Sequence, residues 1–407
     1  MMKHIHKVAI GIIMAVLLSS MLIAHVEGIN NVYDTYTLKM SVTVTSDKAY
    51  VPPNFLGIGV PINFTSETVH QMSEIISGSM EAGEYHTHKY TLETDEDMNV
   101  GVSFGLDKNV SKAKFEVEAK IYIKVTPPVD LDLERSGSLK DIPESVKATY
   151  LDQNDAWVIN EDITTVAKAL LDPSNVLRTV LNYASWIDEN ILYPYEPSHL
   201  EPWNSTLTLR YGEGDCDDRA ILLIAMAKAV GIPAYLQIGG IYMEGEDTIV
   251  AEGGRLKYDL VDIGWHGWAM IYIPPWGWLP VDLTYFEGVE ANLVIRGNAS
   301  YLRILASNPL DHILGAALYT EKTFILGNII KTDYIGPFKE LVNIIWEYEI
   351  FWTEIDELNY EGVNIVSGIS SFEEVKMEVN TAIYASYILI GGLISYKILR
   401  LYRERRK

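Results

Sequence analysis

The stretch YGEGDCDDRAILLIAMAKAVGIP at residues 211–233 decides the fold of this chain. Its glycines permit a tight turn before Asp215, a suitable helix N-cap, and Asp218 stands where a carboxylate reaches back in a capping box. No helix breaker occurs over residues 216–230, and a glycine and a proline follow. The pattern predicts a helix over 216–230 that is apolar on nearly every side, and such a helix is buried.

The only cysteine of the chain, Cys216, is the first residue of this predicted helix. A helix N-terminus stabilises a thiolate by about 0.3–1 kcal/mol, which corresponds to less than about one pKa unit. Asp215, Asp217 and Asp218 oppose this effect, because nearby negative charge raises the pKa of a thiol. A reactive Cys216 therefore needs a positively charged partner such as an imidazolium. Without that partner, Cys216 is interpreted as a buried structural cysteine.

A candidate partner lies in a predicted hairpin further along the chain. Residues 264–273 predict a strand, a Pro-Pro-Trp-Gly turn follows, and residues 278–284 predict the returning strand. A hairpin centred at Pro274 sets His266 opposite Asp282, whereas Gly277 favours a slightly later centre, so the register is open by a few residues. A carboxylate there would fix the tautomer of the imidazole and stabilise its charged form. His266 alone is interpreted as structural; its combination with Cys216 and Asp282 favours a catalytic role.

Four motifs in this order resemble the transglutaminase-like superfamily, over roughly residues 142–285. They are Gly-Glu-Gly-Asp-Cys-Asp-Asp, Gly-Ile-Pro-Ala, Trp-His-Gly-Trp and Val-Asp-Leu-Thr. The resemblance, to a membrane-anchored prokaryotic or archaeal type, implies an α+β fold with a papain-like core, in which a helical layer packs on an antiparallel sheet. It also implies a triad in which Cys216 is the nucleophile, His266 the general base and acid, and Asp282 the orienting carboxylate.

The sequence departs from the pattern of that family at three places. Gly267 follows the histidine where the family often has alanine, and Tyr235 stands where it commonly has arginine. The interval between the cysteine and the histidine is long, since it contains an acidic, glycine-bearing insert at 243–254 that could cap the active site. For the oxyanion, the resemblance implies Trp186 or Trp203 as a donor, although an aromatic residue on a helical stripe is otherwise part of the core. The backbone N–H of Cys216 is the preferred donor, because helix N-termini present free N–H groups.

The ends of the chain carry two apolar segments. Residues 1–28 have the lysines and the uncharged run of a signal peptide or signal anchor. Residues 379–399 predict a transmembrane helix, and the basic tail at 400–407 is expected in the cytoplasm. We therefore expect a single-pass protein of the cell membrane whose bulk is extracytoplasmic. Four N-glycosylation sequons agree with that location, namely Asn63, Asn109, Asn204 and Asn298.

Between these segments the sequence predicts three regions. Residues 29–130 alternate between apolar and polar and predict a β-rich, sandwich-like domain. The catalytic domain is expected at residues 131–345, and a helical or stalk region at residues 346–378. His86 and His88 lie on one face of a strand, but two imidazoles without a third ligand make a poor metal site. No metal and no cofactor are expected.

The net charge of −23 argues against nucleic acid as a partner. A protein or peptide substrate, cleaved or transferred through a thioester of the cysteine, is the preferred hypothesis. One alternative is a non-catalytic envelope binding or adhesion protein that keeps the fold as a scaffold. Another is a structural component of the cell envelope in which the β-rich domain is the working part.

Overall fold

The structure is a computed structural model that describes residues 32–48, 51, 56–106, 110–126, 131–194, 201–284, 290–296, 299–314 and 322–366. The predicted signal segment, transmembrane helix and basic tail lie outside these residues, as do the sequons at Asn109 and Asn298. Within the described part of the chain, no helix is both long and apolar enough to cross a membrane.

The helices of the described residues precede and follow the predicted nucleophile. They are α1 (Glu144–Tyr150), α2 (Glu161–Ala169), α3 (Val176–Asn190), α4 (Ser205–Tyr211), α5 (Cys216–Ala229) and α6 (Ile335–Glu347). The predicted helix thus forms as α5, and every residue from Asp218 to Lys228 is buried. This burial follows from a sequence with no continuous polar face.

The strands of the described residues lie between Val32 and Ile365. They are β1 (Val32–Ser46), β2 (Gly57–Val60), β3 (Phe64–Thr65), β4 (Val69–Ala82), β5 (Tyr85–Thr87), β6 (Thr91–Thr94), β7 (Val100–Ser103), β8 (Lys112–Val125), β9 (Tyr193–Pro194), β10 (Ala234–Ala251), β11 (Leu256–Ile273), β12 (Gly277–Val281), β13 (Glu290–Arg296), β14 (Ala299–Leu305), β15 (Thr323–Ile329) and β16 (Ile350–Ile365).

One large mixed sheet connects the two ends of the described chain. Its strand order is β15-β10-β11-β16-β1-β8-β4-β3, with β12 added to β11 and β5 to β4. β1 and β8 pair antiparallel with Met40 opposite Val117, as the alternation of their sequences predicts. Two three-stranded sheets, β13-β14-β9 and β2-β7-β6, complete the architecture. The fold is therefore α+β, consistent with the predicted papain-like core.

The large sheet is covered on both faces where it supports the predicted site. Trp268 and Met270 of β11 belong to a core shared with the N-terminal strands, whereas Ala269 and Ile271 belong to the core formed with α3 and α5. This two-sided burial explains why the second half of β11 is almost continuously apolar. Residues Asp34–Val363 group into one compact unit, and the described residues outside it are only the ends of β1 and β16. The predicted domain boundaries at 130 and 345 stay predictions.

The acidic insert at 243–254 does not cap the site, so that prediction is wrong. The insert forms the outer half and the turn of the β10–β11 hairpin, where Ala251 pairs with Leu256 after a bulge near Tyr242. The turn precedes His266 by about a dozen residues, which is about 40 Å along an extended strand. There it packs against α6, whose Trp346 donates to Glu252 at 2.7 Å. The long interval between cysteine and histidine thus lengthens a hairpin.

The predicted helical or stalk region at 346–378 also differs from the structure. α6 ends at Glu347, and the next described element is the long strand β16, which pairs in parallel with the first residues of β11. Buried and exposed residues alternate along β16, but two of its buried positions are the carboxylic acids Glu354 and Asp356. Because acids occupy the inner face, the sequence lacks the apolar alternation that signals a strand. Residues beyond 366 lie outside the description.

Candidate active site

Cys216 is the first residue of α5 and is half-buried. The chain turns tightly before it, with Gly212 in the left-handed region at φ 67°. The carboxylate of Asp218 accepts a hydrogen bond from the backbone N–H of Asp215 at 3.3 Å, as predicted for a capping box. The sequence therefore places the thiol at the point where the helix presents its unpaired N–H groups.

His266 and Asp282 form a buried pair on the hairpin that faces α5. Nε2 of His266 lies 2.6 Å from Oδ2 of Asp282, and the two residues are only 9% and 5% exposed. The other carboxylate oxygen, Oδ1, accepts from the backbone N–H of Thr284 at 2.8 Å. The imidazole stacks on Trp268 with ring centroids 5.8 Å apart. The carboxylate and the indole together fix the orientation of the imidazole ring.

The hairpin register is shifted by two residues from an exact pairing of His266 with Asp282, within the range that the sequence left open. Ala269 pairs with Val281 in β12, so the centre of the hairpin lies one residue later than the Pro-Pro position assumed for an exact pairing. By this register Asp282 falls across from Trp268, and His266 is its diagonal neighbour on the same face. Diagonal neighbours in an antiparallel pair are still within reach of long side chains. The predicted contact between His266 and Asp282 is therefore made.

Gly267 brings the hairpin and the helix together. Its backbone N–H donates a hydrogen bond to the sulfur of Cys216, which acts to lower the pKa of the thiol. A Cβ at Gly267 would lie 2.9 Å from Cβ and 3.3 Å from Cα of Asp217, closer than real Cβ atoms are found. The departure from the alanine of the resembling family thus has a steric cause. Through this contact the structure brings Cys216 to the residue next to His266.

The electrostatics of the site keep the cysteine protonated. Burial raises the pKa of Cys216 well above its ordinary value, and Asp215 and Asp217 raise it further, outweighing the Gly267 N–H. Burial and the charge of Asp217 also raise the pKa of Asp218 to about 8. A resting thiolate paired with an imidazolium is thus disfavoured, and the arrangement suits a thiol that loses its proton to His266 as it attacks.

Two tyrosines near the thiol were missed by sequence reasoning. The hydroxyl of Tyr334 donates to Oδ2 of Asp217 at 3.0 Å. Burial and then the charge of Asp217 raise the pKa of Tyr334. Burial and then the proximity of the Cys216 charge raise the pKa of Tyr193. Both phenols are therefore neutral O–H donors beside the sulfur. They come from β9 and the residue before α6, which no local pattern connects with Cys216.

The two tryptophans considered as oxyanion donors have different surroundings. Trp186 packs on the core between α3 and α5, as expected of an aromatic residue on a helical stripe. Trp203 donates its backbone N–H to Oδ1 of Asp218 at 2.7 Å, and its ring packs on Tyr211 with centroids 4.9 Å apart. Of these two residues, Trp203 thus contacts the first turn of α5, and it does so through its backbone N–H.

The described residues contain one group of side chains close enough to share a metal ion. Ligand atoms of Asp215, Cys216 and Asp217 lie within 4.8 Å of one another. A cation held there would occupy the sulfur that the site offers as a nucleophile. His86, considered as a ligand from sequence, lies instead 3.5 Å from the carboxylate of Glu81.

The comparison with protein families gives a match at this part of the chain. The sequence model of the transglutaminase-like superfamily matches residues 164–283, a segment that contains Cys216, His266 and Asp282. The match confirms the predicted resemblance over these residues. The chain matches no curated protein.

Two solved structures are similar to this chain. A "putative cysteine protease" from Cytophaga hutchinsonii is 14% identical with a TM-score of 0.44, and the alignment covers 83% of this chain and 94% of that one. A "putative protease" from Parabacteroides distasonis is 11% identical with a TM-score of 0.21, covering 72% of this chain and 95% of that one.

Proposed function

We propose that this protein is a membrane-anchored, extracytoplasmic enzyme that cleaves or transfers amide bonds of proteins or peptides through a thioester of Cys216. The observation that carries the proposal is the contact of 2.6 Å between His266 Nε2 and Asp282 Oδ2, beside the helix that begins with the cysteine. The transglutaminase-like match over residues 164–283 supports the same chemistry.

The proposed reaction begins when Sγ of Cys216 attacks the carbonyl carbon of an amide. His266 takes the thiol proton, and because Nε2 faces Asp282, the proton enters at Nδ1. The carbon–nitrogen bond then breaks as the imidazolium returns its proton to the leaving amine, and a thioester remains. Attack by water releases an acid, whereas attack by a second amine forms a new amide; either step regenerates the thiol.

Negative charge that develops on the carbonyl oxygen requires donors near the sulfur. The backbone N–H of Cys216, at the start of α5, is the proposed principal donor. The neutral hydroxyl of Tyr193 is a further candidate, since the charge of Cys216 contributes to its raised pKa, whereas the hydroxyl of Tyr334 already donates to Asp217. Asp215 and Asp217 disfavour a resting thiolate. Negative charge therefore develops only during the attack on the substrate, when it lies on the carbonyl oxygen and these donors can stabilise it.

The proposed location rests on sequence. The apolar run at 379–399 and the basic tail at 400–407 support a C-terminal membrane anchor, with residues 29–378 outside the cytoplasm. The acidic charge of the chain suits a solvated exterior region. A protein or peptide is the proposed partner, and no nucleic acid is expected.

The test uses the full chain in detergent, with a fluorescently labelled denatured protein as substrate and with or without a primary amine. Release of peptides or ammonia without incorporation of the added amine indicates hydrolysis, and incorporation of the amine indicates transfer. We expect Cys216→Ala to abolish either product while the thermal unfolding midpoint stays close to that of the wild type. Undiminished turnover in Cys216→Ala contradicts the proposal, whereas absence of either product in the wild type favours a non-catalytic envelope scaffold.

A further inference from the structure

The backbone of Asp282 is held on both sides by one residue, His312. The N–H of Asp282 donates to the carbonyl oxygen of His312 at 2.9 Å. Nδ1 of His312 lies 2.9 Å from the carbonyl oxygen of Asp282. His312 is fully buried, and it lies 30 residues away along the chain. This reciprocal contact fixes the peptide units on either side of the Asp282 Cα, from which the carboxylate projects toward His266.

His312 is in turn held by a buried ion pair. Its Nε2 lies 2.8 Å from Oδ2 of Asp188 on α3, and Oδ1 of Asp188 accepts from Nη2 of Arg219 at 2.8 Å. Asp188 is 4% exposed and Arg219 is fully buried. Arg219 stands one helical turn after Cys216 on α5. The contacts thus form a chain from the carboxylate of the predicted triad back to the helix that carries its thiol.

Both ring nitrogens of His312 are engaged by oxygen atoms, a backbone carbonyl at Nδ1 and a carboxylate at Nε2. The same carboxylate, that of Asp188, also accepts from the guanidinium of Arg219. Because buried polar groups persist only when they are paired, His312, Asp188 and Arg219 form one buried network.

We propose that His312 is a positioning residue for the Asp282 carboxylate, anchored by Asp188 and Arg219. This inference rests on the proposed function, because it assigns a role in the same reaction. His312 acts through the Asp282 backbone and touches no reacting atom. Loss of the His312 side chain removes the contact with the Asp282 carbonyl oxygen, whereas the contact of the His312 backbone carbonyl with the Asp282 N–H remains. The peptide unit after Asp282 is then free to turn, so that the contact with His266 loosens.

A matched pair of substitutions separates positioning from packing. His312→Asn places an amide donor near the position of Nδ1 and keeps the contact with Asp282, whereas His312→Gln places it near Nε2 and keeps the contact with Asp188. We measure the alkylation rate of Cys216 by iodoacetamide at pH 7 on the full chain in detergent. We expect His312→Asn within about threefold of the wild type and His312→Gln slower by roughly tenfold or more, since small misplacements of catalytic groups have large kinetic effects.

Two controls complete the design. Gln71→Leu removes buried hydrogen bonds to Ile62 and Ile325, away from the site, and gives the effect of destabilisation alone. The double variant His312→Gln with Asp282→Asn is expected to react no more slowly than Asp282→Asn, because one residue acts through the other. If His312→Gln does not fold, Asp188→Asn takes its place, since it removes the charge that holds His312 and is expected to slow alkylation several-fold.

The outcomes distinguish this inference from the proposed function. Equal rates in His312→Asn and His312→Gln, or additive slowing in the double variant, overturn the positioning role and leave a packing role. If His266→Ala is slow while both His312 variants react like the wild type, the proposed function stands and the positioning role fails. If His266→Ala itself reacts at the wild-type rate, the proposed function fails and the positioning role with it.

Discussion

Nε2 of His266 lies 2.6 Å from Oδ2 of Asp282 although the two residues are not paired across the hairpin. They are diagonal neighbours, and Asp282 reaches the ring because it follows the last residue of β12. His312 holds the backbone of Asp282 at this point, where strand pairing no longer does. The position of the carboxylate thus depends on a contact from outside the hairpin.

Asp282→Asn is the first testable change. The amide keeps the size of the side chain but offers Nε2 of His266 either a donor or a neutral oxygen, so the imidazolium loses its charge partner. We expect kcat for the amide substrate to fall by about 100- to 10,000-fold with little change in KM. Steady-state kinetics measures both constants. A fall in kcat of less than about threefold contradicts an orienting role for this carboxylate.

Gly267→Ala tests the close approach of α5 to β11. The added methyl group would meet Asp217 at 2.9 Å and must push the first turn of the helix away from His266. We expect a loss of about 1–3 kcal/mol in the free energy of unfolding, and alkylation of Cys216 at an altered rate. Urea denaturation measures the first quantity. The matched control is Gly105→Ala, where a Cβ meets no atom within 4 Å, and a loss of equal size there would contradict the steric explanation.

Asp217→Asn tests the electrostatic description of the thiol. Burial, Asp215 and Asp282 also raise the pKa of Cys216, so the substitution removes one cause of four and leaves the sulfur in place. The pKa of Cys216 falls, more thiolate is present at pH 7, and iodoacetamide reacts several-fold faster. Asp162→Asn on the exposed surface of α2 serves as the control. A slower reaction in Asp217→Asn would show that Asp217 supports the nucleophile.

Glu354 and Asp356 on β16 predict a dependence of stability on pH. Burial, followed by the charge of Asp356, raises the pKa of Glu354 to about 8, and burial raises that of Asp356 to about 6. The folded protein therefore keeps protons that the unfolded chain releases near pH 4, so stability falls as pH rises from about 4 to 8. Glu354→Gln removes the larger part of this loss.

The measurement for this pair is the free energy of unfolding of wild type and Glu354→Gln at pH 6 and pH 9. We expect the variant to lose less stability over that interval, by on the order of 2 kcal/mol. Glu357→Gln, at an exposed position of the same strand, is the control. Parallel losses in wild type and Glu354→Gln would contradict a proton held at this buried pair.

Local patterns predicted the elements that carry the site. The helix predicted over 216–230 is observed as α5. Its apolar sequence lies between a glycine turn that starts the helix and a Gly-Ile-Pro segment that ends it. The strands β1 and β8 followed from apolar alternation on one face of a sheet. The roles assigned to Cys216, His266 and Asp282 stay proposals, but the structure brings these residues together.

Other parts of the fold depend on contacts that no local pattern contains. Asp188 and His312 are 124 residues apart, and neither lies in a motif that names a partner. Tyr334 meets Asp217 across a similar interval of 117 residues. β16 was missed because its inner face carries carboxylic acids, which a pattern of apolar residues cannot identify. Tertiary pairing of polar groups decided these cases, whereas apolar periodicity decided the elements that were predicted.

The most direct test of the account is the rate at which iodoacetamide alkylates Cys216 between pH 5 and 10, in the wild type and in His266→Ala. As the only cysteine of the chain, Cys216 accounts for all thiol reaction. Because His266 takes the proton from the thiol at neutral pH, we expect alkylation of His266→Ala to be slower there by roughly tenfold or more and to approach the wild-type rate only at alkaline pH. Superimposable profiles would contradict it, because Cys216 would then react without help from the imidazole.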